Sequence, residues 1–474
     1  MNDLLLESAT ALAALIREGK VSPIEVLQAH LDRIDQINPH LNAIVTLAPD
    51  AMDHAKLAEA AVTRGDLLGP LHGLPVTVKD TIDTSGLRTT SGSAMRAEFL
   101  PQRDAPSVAR LKAAGAIILG KTNTAEMAMD YSTDNPLFDP AVNPYDPLLT
   151  TGGSSGGEAA AIASCISPAG IGSDLAGSVR IPSHFCGITG LKPTVGRIPG
   201  EGQFPPGTGP YSLGAAIGPM ARRVNDLALM FNVLAGIGTT TFAEDPTMSQ
   251  ANQDASLAGS RVAWYSDDGV AAVTVETRKT VEAAALALSD AGLIVEQTLP
   301  PGTERGHELW LKLFSRASVV QLRNVYAGNE EKGGQFVRWR LATADDTPAP
   351  ALDDYINSWL ERDRLRAMLV EWMEHTPLLI APVGATPAYK HGTLKVTVGE
   401  STMSTFRAFS YSQTFNAFDL PALVVPAGRS REGLPIGVQI IGRPFAEATV
   451  LAAAAIIEEA LGGWQLPPFL SDKL

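Results

Sequence analysis

The first sixty residues carry apolar positions at helical spacing, most clearly in the amphipathic run from Val26 to Ile37. Ser22-Pro23-Ile24-Glu25 stands ahead of that run with the pattern of a capped helix start. The serine oxygen can accept from a first-turn amide, the glutamate can reach back, and proline takes a position whose N–H has no helical partner. Asn38-Pro39 is expected to stop this helix, because the ring clashes with the carbonyl one turn earlier. A second helix is expected over Asp50 to Arg64, ending at Gly65. At Gly69 the texture changes. Leu74-Pro-Val-Thr-Val-Lys79 is short, β-branched and bounded by glycine and proline, which predicts a strand with Lys79 at its end. A helix over Ser107–Ala114, a buried strand over Ala116–Leu119 and a helix over Thr124–Met129 are expected next. Strands alternating with helices predict an α/β layer architecture with a largely buried sheet.

Between 150 and 220 glycine becomes dense around a short Ala-rich helix, Glu158 to Ser164. Glycines interleaved with apolar residues indicate backbone in demanding conformations rather than a linker. From about 240 to 375 aromatics and charges stand at helical spacing: Trp310, Phe314, Tyr326, Trp339, Tyr355, Trp359 and Trp372, read mainly as packing residues. Strand-like runs return at Leu378–Pro382, Leu423–Pro426 and Pro435–Ile441, before a last helix over Ala446–Leu461. With no internal repeat and no linker, one domain spanning 1–474 is expected. It would have a helical segment 1–64, a core 65–235, a variable helical insertion 236–375, and strands and a helix in 376–474 that complete the core.

Bulk composition narrows the partners. A chain of 474 residues that is 45% hydrophobic can bury a large core, and 37 basic against 51 acidic residues give a formal charge of −14. That balance argues against nucleic acid, whose binders need a basic face. Two cysteines, Cys165 and Cys186, exclude a disulfide scaffold and suit a reducing compartment. The first residues lack the positive region of a signal peptide, and no uninterrupted apolar run of about 18 residues occurs. A cytoplasmic globular protein with no membrane partner is therefore expected. The eight histidines show no His-Glu-x-x-His spacing, so neither a metal nor another cofactor is expected.

Three stretches carry candidate chemistry. Gly115-Ala-Ile-Ile-Leu-Gly120-Lys121-Thr122 fits the phosphate-loop pattern, but its variable positions are apolar and β-prone and a helix precedes it. The strand lies inside the motif, so the loop that would cradle phosphate is missing. Gly152-Gly-Ser154-Ser155-Gly-Gly157 fits the nucleophile-elbow pattern twice and is followed by a helix. An α/β-hydrolase of that kind needs a later acid and histidine. His307, His375 and His391 are available, and His72-Gly73 is the sole hint of an oxyanion segment. The third reading joins Lys79, the 152–157 loop and Gly172-Ser-Asp-Leu-Ala-Gly-Ser178-Val-Arg180-Ile-Pro182. Acyl transfer needs a nucleophile, a base for its proton and amides facing the developing oxyanion. A lysine serves as base when burial lowers its pKa, and Leu74, Val76 and Val78 are suitable neighbours for that.

These motifs, in this order, resemble the amidase signature family. Gly73-Leu-Pro-Val-Thr-Val-Lys79-Asp80, Gly120-Lys-Thr-Asn123, Gly152–Gly157 and Gly187-Ile-Thr-Gly-Leu-Lys-Pro193 carry the resemblance, which is strongest over 69–235. It extends to Ile24–Val45 and to the runs beginning at Pro421 and Gly433. The intervals fit too, with 75 residues from Lys79 to Ser154 and 24 from Ser154 to Ser178.

The resemblance implies a large mixed central β-sheet covered by helices on both faces, with 65–235 as catalytic core and 236–375 near the substrate entrance. It implies a Ser–cis-Ser–Lys triad: Ser178 as nucleophile, Ser154 relaying the proton after a cis peptide from Gly153, and Lys79 as the ultimate base. The N–H groups of Leu175, Ala176, Gly177 and Ser178 would form the oxyanion hole. Ser155 would support the network, and Asp174 and Arg180 would fix the loop. Thr151 and Ala176 stand where many members have proline and glycine; Cys186 and Lys192 are read as structural. Met127, Met129, Asp130, Tyr131 and Gly153 are the candidate pocket residues, with Phe314, Trp339 and Phe415 behind them. The implied activity is hydrolysis of a small-molecule linear amide, with esters and carbamates also in reach, by a monomer or homodimer. The alternative within the family is the glutaminase component of a tRNA-dependent amidotransferase, which needs partner subunits.

Overall fold

The computed structural model describes residues 3–66, 68–237, 257–346 and 349–468. Leu423 and Val425 enter one apolar core, while Ala422 and Val424 on the same strand enter a second. Leu378 and Ile380 divide from Leu379 and Ala381 in the same way. Side chains alternate across a strand, so a sheet whose two sets of positions are both apolar must be covered on both faces.

The strands are β1 (Ile44–Leu47), β2 (Pro75–Lys79), β3 (Ile117–Thr122), β4 (Ala169–Asp174), β5 (Thr189–Lys192) and β6 (Ala216–Ala221). They continue with β7 (Arg261–Trp264), β8 (Ile294–Gln297), β9 (Leu378–Pro382), β10 (Lys395–Val398), β11 (Ser401–Ser404), β12 (Ala422–Arg429) and β13 (Pro435–Gly442). Eleven form one sheet in the order β1-β3-β2-β4-β6-β5-β12-β13-β9-β7-β8, and β10 pairs with β11 apart from it. Strand β2 runs parallel to both β3 and β4, whereas β6, β5, β12 and β13 are joined antiparallel, so the sheet is mixed. Helices Pro23–Leu41, Val224–Ala235, Val275–Asp290 and Glu447–Leu461 supply the first core. Helices Gly306–Trp310, Leu352–Trp372 and Ser410–Ala417 supply the second. No helix among the described residues is long and apolar enough to cross a membrane.

Several boundaries match the pattern in the chain. Ser22 accepts from Ile24 N–H while the Glu25 carboxylate accepts from Ser22 N–H, completing the capping box. Gly65 closes the helix Ala51–Arg64 at φ 74°, a left-handed turn that suits glycine. Four expectations are corrected. The helix from Pro23 runs to Leu41, through Pro39: the proline lies in the last turn, where it removes one hydrogen bond, and left-handed Asn42 ends the helix instead. The strand expected over Ala116–Leu119 continues to Thr122, because Gly120 leaves room for Thr46 O, which a Cβ would meet at 2.4 Å. Thr124–Met129 is not a helix but a single turn, Glu126–Ala128, with Met127 and Ala128 both at positive φ.

The last correction concerns 236–375, which is not a wholly helical insertion. Strands β7 and β8, with the helix Val275–Asp290 between them, extend one edge of the main sheet. These strands are four residues long and β8 is largely exposed, so neither shows a clear period. Residues 238–256 and 347–348 of that segment lie outside the described residues, as do the first two, Leu67 and 469–474 at the chain end.

Candidate active site

Strand β2 presents Val76 and Val78 to the first core and turns Thr77 and Lys79 to the other face. The residues expected to bury Lys79 therefore lie on the wrong side of the sheet, and its burial comes from the loops packed above it. The parallel partner β4 ends in Ser173 and Asp174, and the helix Gly156–Ala163 crosses the same face. Glu158 on that helix accepts hydrogen bonds from the hydroxyls of Thr77 and Thr122. Gly170 allows this approach, since a Cβ there would lie 1.9 Å from Glu158 Oε1.

Lys79 is fully buried, and its Nζ lies 2.6 Å from Ser154 Oγ and 3.1 Å from Ser173 Oγ. Burial lowers its pKa to about 7, against the opposing pull of Asp174 and Glu158. A substantial neutral fraction, with a free lone pair, is thus present near neutrality. Ser154 is fully buried, and the Gly153–Ser154 peptide is cis. Gly153 packs beneath the Asp130–Tyr131 backbone, where a Cβ would meet Asp130 O at 2.5 Å. Ser155 N–H donates to Ser178 O at 3.2 Å, tying the two serine loops together. The Ser155 hydroxyl turns to the Ser173 backbone, 3.4 Å from both its N and O. Ser178 retains 6% exposure, and its hydroxyl makes no hydrogen bond among the described residues.

Asp174 and Arg180 form a two-pronged ion pair, 3.1 and 3.0 Å, with both side chains fully buried. Burial alone would raise the Asp174 pKa, but Arg180, with Lys192 and Asn416, outweighs it and holds the carboxyl well below the ordinary range. The same carboxylate accepts from Gly177 and Val179 N–H at 2.9 and 3.1 Å, which fixes the loop. This corrects one expectation. Gly177 N–H is engaged by Asp174 and does not face the cavity, whereas the amides of Leu175, Ala176 and Ser178 make no hydrogen bond among the described residues.

Ser154, Ser173, Leu175, Ala176 and Ser178 open onto a cavity of about 950 Å³. Met127, Met129, Asp130 and Tyr131 form part of its wall, as do Trp310, Phe336, Trp339, Tyr389 and Phe406. Gly153 lies beneath that wall rather than in it, and Phe314 and Phe415 are core residues behind it. Asp130 is one of the acids in that wall, and burial raises its pKa to about 6. None of the eight histidines lines this cavity among the described residues, so the elbow reading lacks its base. His307 pairs with Gln413, and His375 lies just past the end of a helix. Gly120, Lys121 and Thr122 lie within β3, where Lys121 bonds the Ile82 carbonyl and the hydroxyls of Thr84 and Thr89. That geometry leaves no phosphate loop. Cys186 and Cys165 are both buried and form no disulfide, and Lys192 bonds the Pro193 carbonyl.

Ser173 is the contact that residue spacing missed. It lies inside the Gly172–Pro182 stretch, but only the pairing of β4 with β2 brings it to Lys79.

The family described as Amidase matches residues 25–451. Fatty-acid amide hydrolase 2 of Homo sapiens is 32% identical, over 98% of this chain and 91% of its own. A component of the Glutamyl-tRNA(Gln) amidotransferase of Chloroflexus aurantiacus is 34% identical, over 95% of this chain and 96% of its own. Among solved structures, 6-aminohexanoate cyclic dimer hydrolase complexed with substrate superposes with a TM-score of 0.84 at 28% identity, covering 98% of this chain and 100% of that one.

Proposed function

The chain belongs to the amidase family, and on that premise we propose that it is a stand-alone serine amidohydrolase cleaving a linear C–N bond through an acyl-enzyme on Ser178. The observation that carries this reading is the 2.6 Å contact of a fully buried Lys79 with Ser154, beside a cavity onto which Ser178 opens. Lysine in that setting has the lowered pKa that a base requires.

In the proposed reaction Ser178 Oγ attacks the carbonyl carbon. Its proton passes to Ser154 Oγ as Ser154 gives its own to neutral Lys79. The carbonyl oxygen becomes an oxyanion and accepts from the amides of Leu175, Ala176 and Ser178. When the C–N bond breaks, the proton returns from Lys79 through Ser154 to the departing nitrogen, which leaves as neutral amine. Water then attacks the acyl ester, its proton follows the same route to Lys79, and return of that proton to Ser178 Oγ frees the acid. Ser155 and Ser173 position this relay, and the Asp174–Arg180 pair holds the loop. Neither a metal nor an organic cofactor enters.

The cavity supports a bulky, largely apolar substrate: Met127, Met129, Trp310, Phe336 and Phe406 line it, and pockets of about this size enclose drug-sized molecules. Aryl and alkyl amides fit this description, and the same acyl-enzyme chemistry extends to esters and carbamates. A second reading, a glutaminase working with partner subunits, is favoured by the similarity to the amidotransferase component. Glutamine would fill little of a cavity of about 950 Å³. The test is turnover of a panel of aryl amides, esters, carbamates and glutamine by the wild type and by Ser178→Ala, Ser154→Ala, Lys79→Ala, His375→Ala and His391→Ala. Loss of turnover in the first three alone is expected. Full activity in Ser178→Ala would sink the proposal, loss in a histidine variant would revive the elbow mechanism, and preference for glutamine would establish the second reading.

A further inference from the structure

Four consecutive carbonyls of the loop before Ser178 each have a partner. Asp174 O accepts from Asn416 Nδ2 at 3.3 Å, Leu175 O from Trp310 Nε1 at 2.8 Å, Ala176 O from Tyr131 O–H at 2.8 Å, and Gly177 O from Ile181 N at 2.6 Å. In a trans peptide the N–H points opposite to the C=O, so a fixed carbonyl fixes the direction of the next amide. Ile181 follows the loop directly, but Trp310, Tyr131 and Asn416 reach in from distant segments.

The Trp310 and Tyr131 contacts are well defined. Gln413 Nε2 donates to Phe406 O at 2.9 Å and to the Tyr131 oxygen at 2.8 Å. A backbone carbonyl can only accept, which settles the Gln413 amide orientation, and the Tyr131 proton is then left for Ala176 O. Trp310 ends the helix Gly306–Trp310 at the start of a wide turn, Leu311–Ser315. Gly306 lets that helix approach Thr414 so closely that a Cβ would lie 2.3 Å from its hydroxyl. The indole is thereby aimed at Leu175 O.

We propose that Trp310 and Tyr131 are positioning residues for acyl transfer, which clamp the Leu175 and Ala176 carbonyls and so aim the loop amides at the oxyanion. The inference rests on the reading of Ser178 as nucleophile. It gives the variable segment a part in the chemistry as well as in the substrate cavity. The Trp310 clamp sets the Ala176 N–H directly. The Tyr131 clamp sets the Gly177 N–H onto Asp174, which locks the loop so that the Ser178 amide stays open to the cavity.

The test uses a fluorophosphonate, whose phosphoryl oxygen occupies the oxyanion position as the serine is phosphonylated. Wild type, Tyr131→Phe, the full chain with benzothienylalanine at 310 (sulfur in place of the indole N–H, the same shape) and Ser178→Ala are compared under saturating conditions. The maximal phosphonylation rate should fall roughly 10- to 100-fold in the first two variants, with the half-saturating probe concentration within about twofold of wild type. Unchanged maximal rates, or a change confined to half-saturation, would overturn the proposal. Labelling that persists in Ser178→Ala would instead overturn the nucleophile assignment on which it rests, and the two failures are thus told apart. Melting temperatures accompany each measurement, and the isosteric residue at 310 keeps the packing intact if Tyr131→Phe does not.

Discussion

Replacing Lys79 with methionine removes a buried ammonium while keeping an unbranched chain of similar length, so stability and catalysis should move in opposite directions. Burial takes the lysine from an ordinary value of 10.5 to about 7. At ~1.36 kcal/mol per pH unit, that gap corresponds to ~5 kcal/mol by which the fold disfavours the charged form. The sign follows from proton counting. Between about 7 and 10.5 the unfolded chain holds a proton at Lys79 that the folded chain has released, so wild-type stability at this site rises with pH. Below about 7 both states are protonated and the whole penalty is present. At pH ~9 the remaining cost is the deprotonation of an ordinary lysine, ~2 kcal/mol. The stability gained by Lys79→Met should therefore shrink by ~3 kcal/mol between pH ~6 and pH ~9. Lys121 and Lys192 are present in both proteins and cancel. Urea unfolding at several pH values measures the difference directly. A gain that does not vary with pH, or a loss that grows as pH falls, would refute the argument that Lys79 sits uncharged in a low-dielectric site.

Other outcomes follow from the same geometry. In the wild type, kcat/KM should rise about tenfold per pH unit below the Lys79 pKa near 7 and level off above it, read from a pH profile on an aryl amide. Asp174→Asn should cost ~3–5 kcal/mol in urea unfolding, because it leaves Arg180 buried without its counter-charge. It should also remove the stabilisation that the wild-type carboxylate gives above about pH 3.8 and loses as pH falls through its depressed pKa. Trp339 lines the cavity while 56% exposed, so Trp339→Ala should raise KM up to roughly tenfold and leave kcat nearly unchanged in steady-state kinetics.

Local signals in the chain reach as far as local physics does. The Ser22–Glu25 capping box, the Gly65 stop and the strand ending at Lys79 were all legible, because each depends on neighbours in sequence. So were the pieces of the candidate site, whose glycines mark close approaches such as Gly153 beneath Asp130. What was not legible depends on strand order. Ser173 meets Lys79 because β4 lies parallel beside β2, and Val76 and Val78 face away from Lys79 because alternate side chains do. The short strands β7 and β8 offered too few positions for a period to show, and they join the sheet through β9, which follows only after a long run of helices. Gly177 illustrates the limit inside the loop itself. Four consecutive amides looked equivalent, and the Asp174 carboxylate, anchored by Arg180, selects one of them.

Acylation of Ser178 is the step on which the proposed chemistry depends. Wild-type protein treated with a fluorophosphonate, digested and mapped by mass spectrometry should carry one adduct, on the peptide containing Ser178, and Ser178→Ala should carry none. An adduct on Ser154 or Ser155, or one that survives in Ser178→Ala, would contradict it.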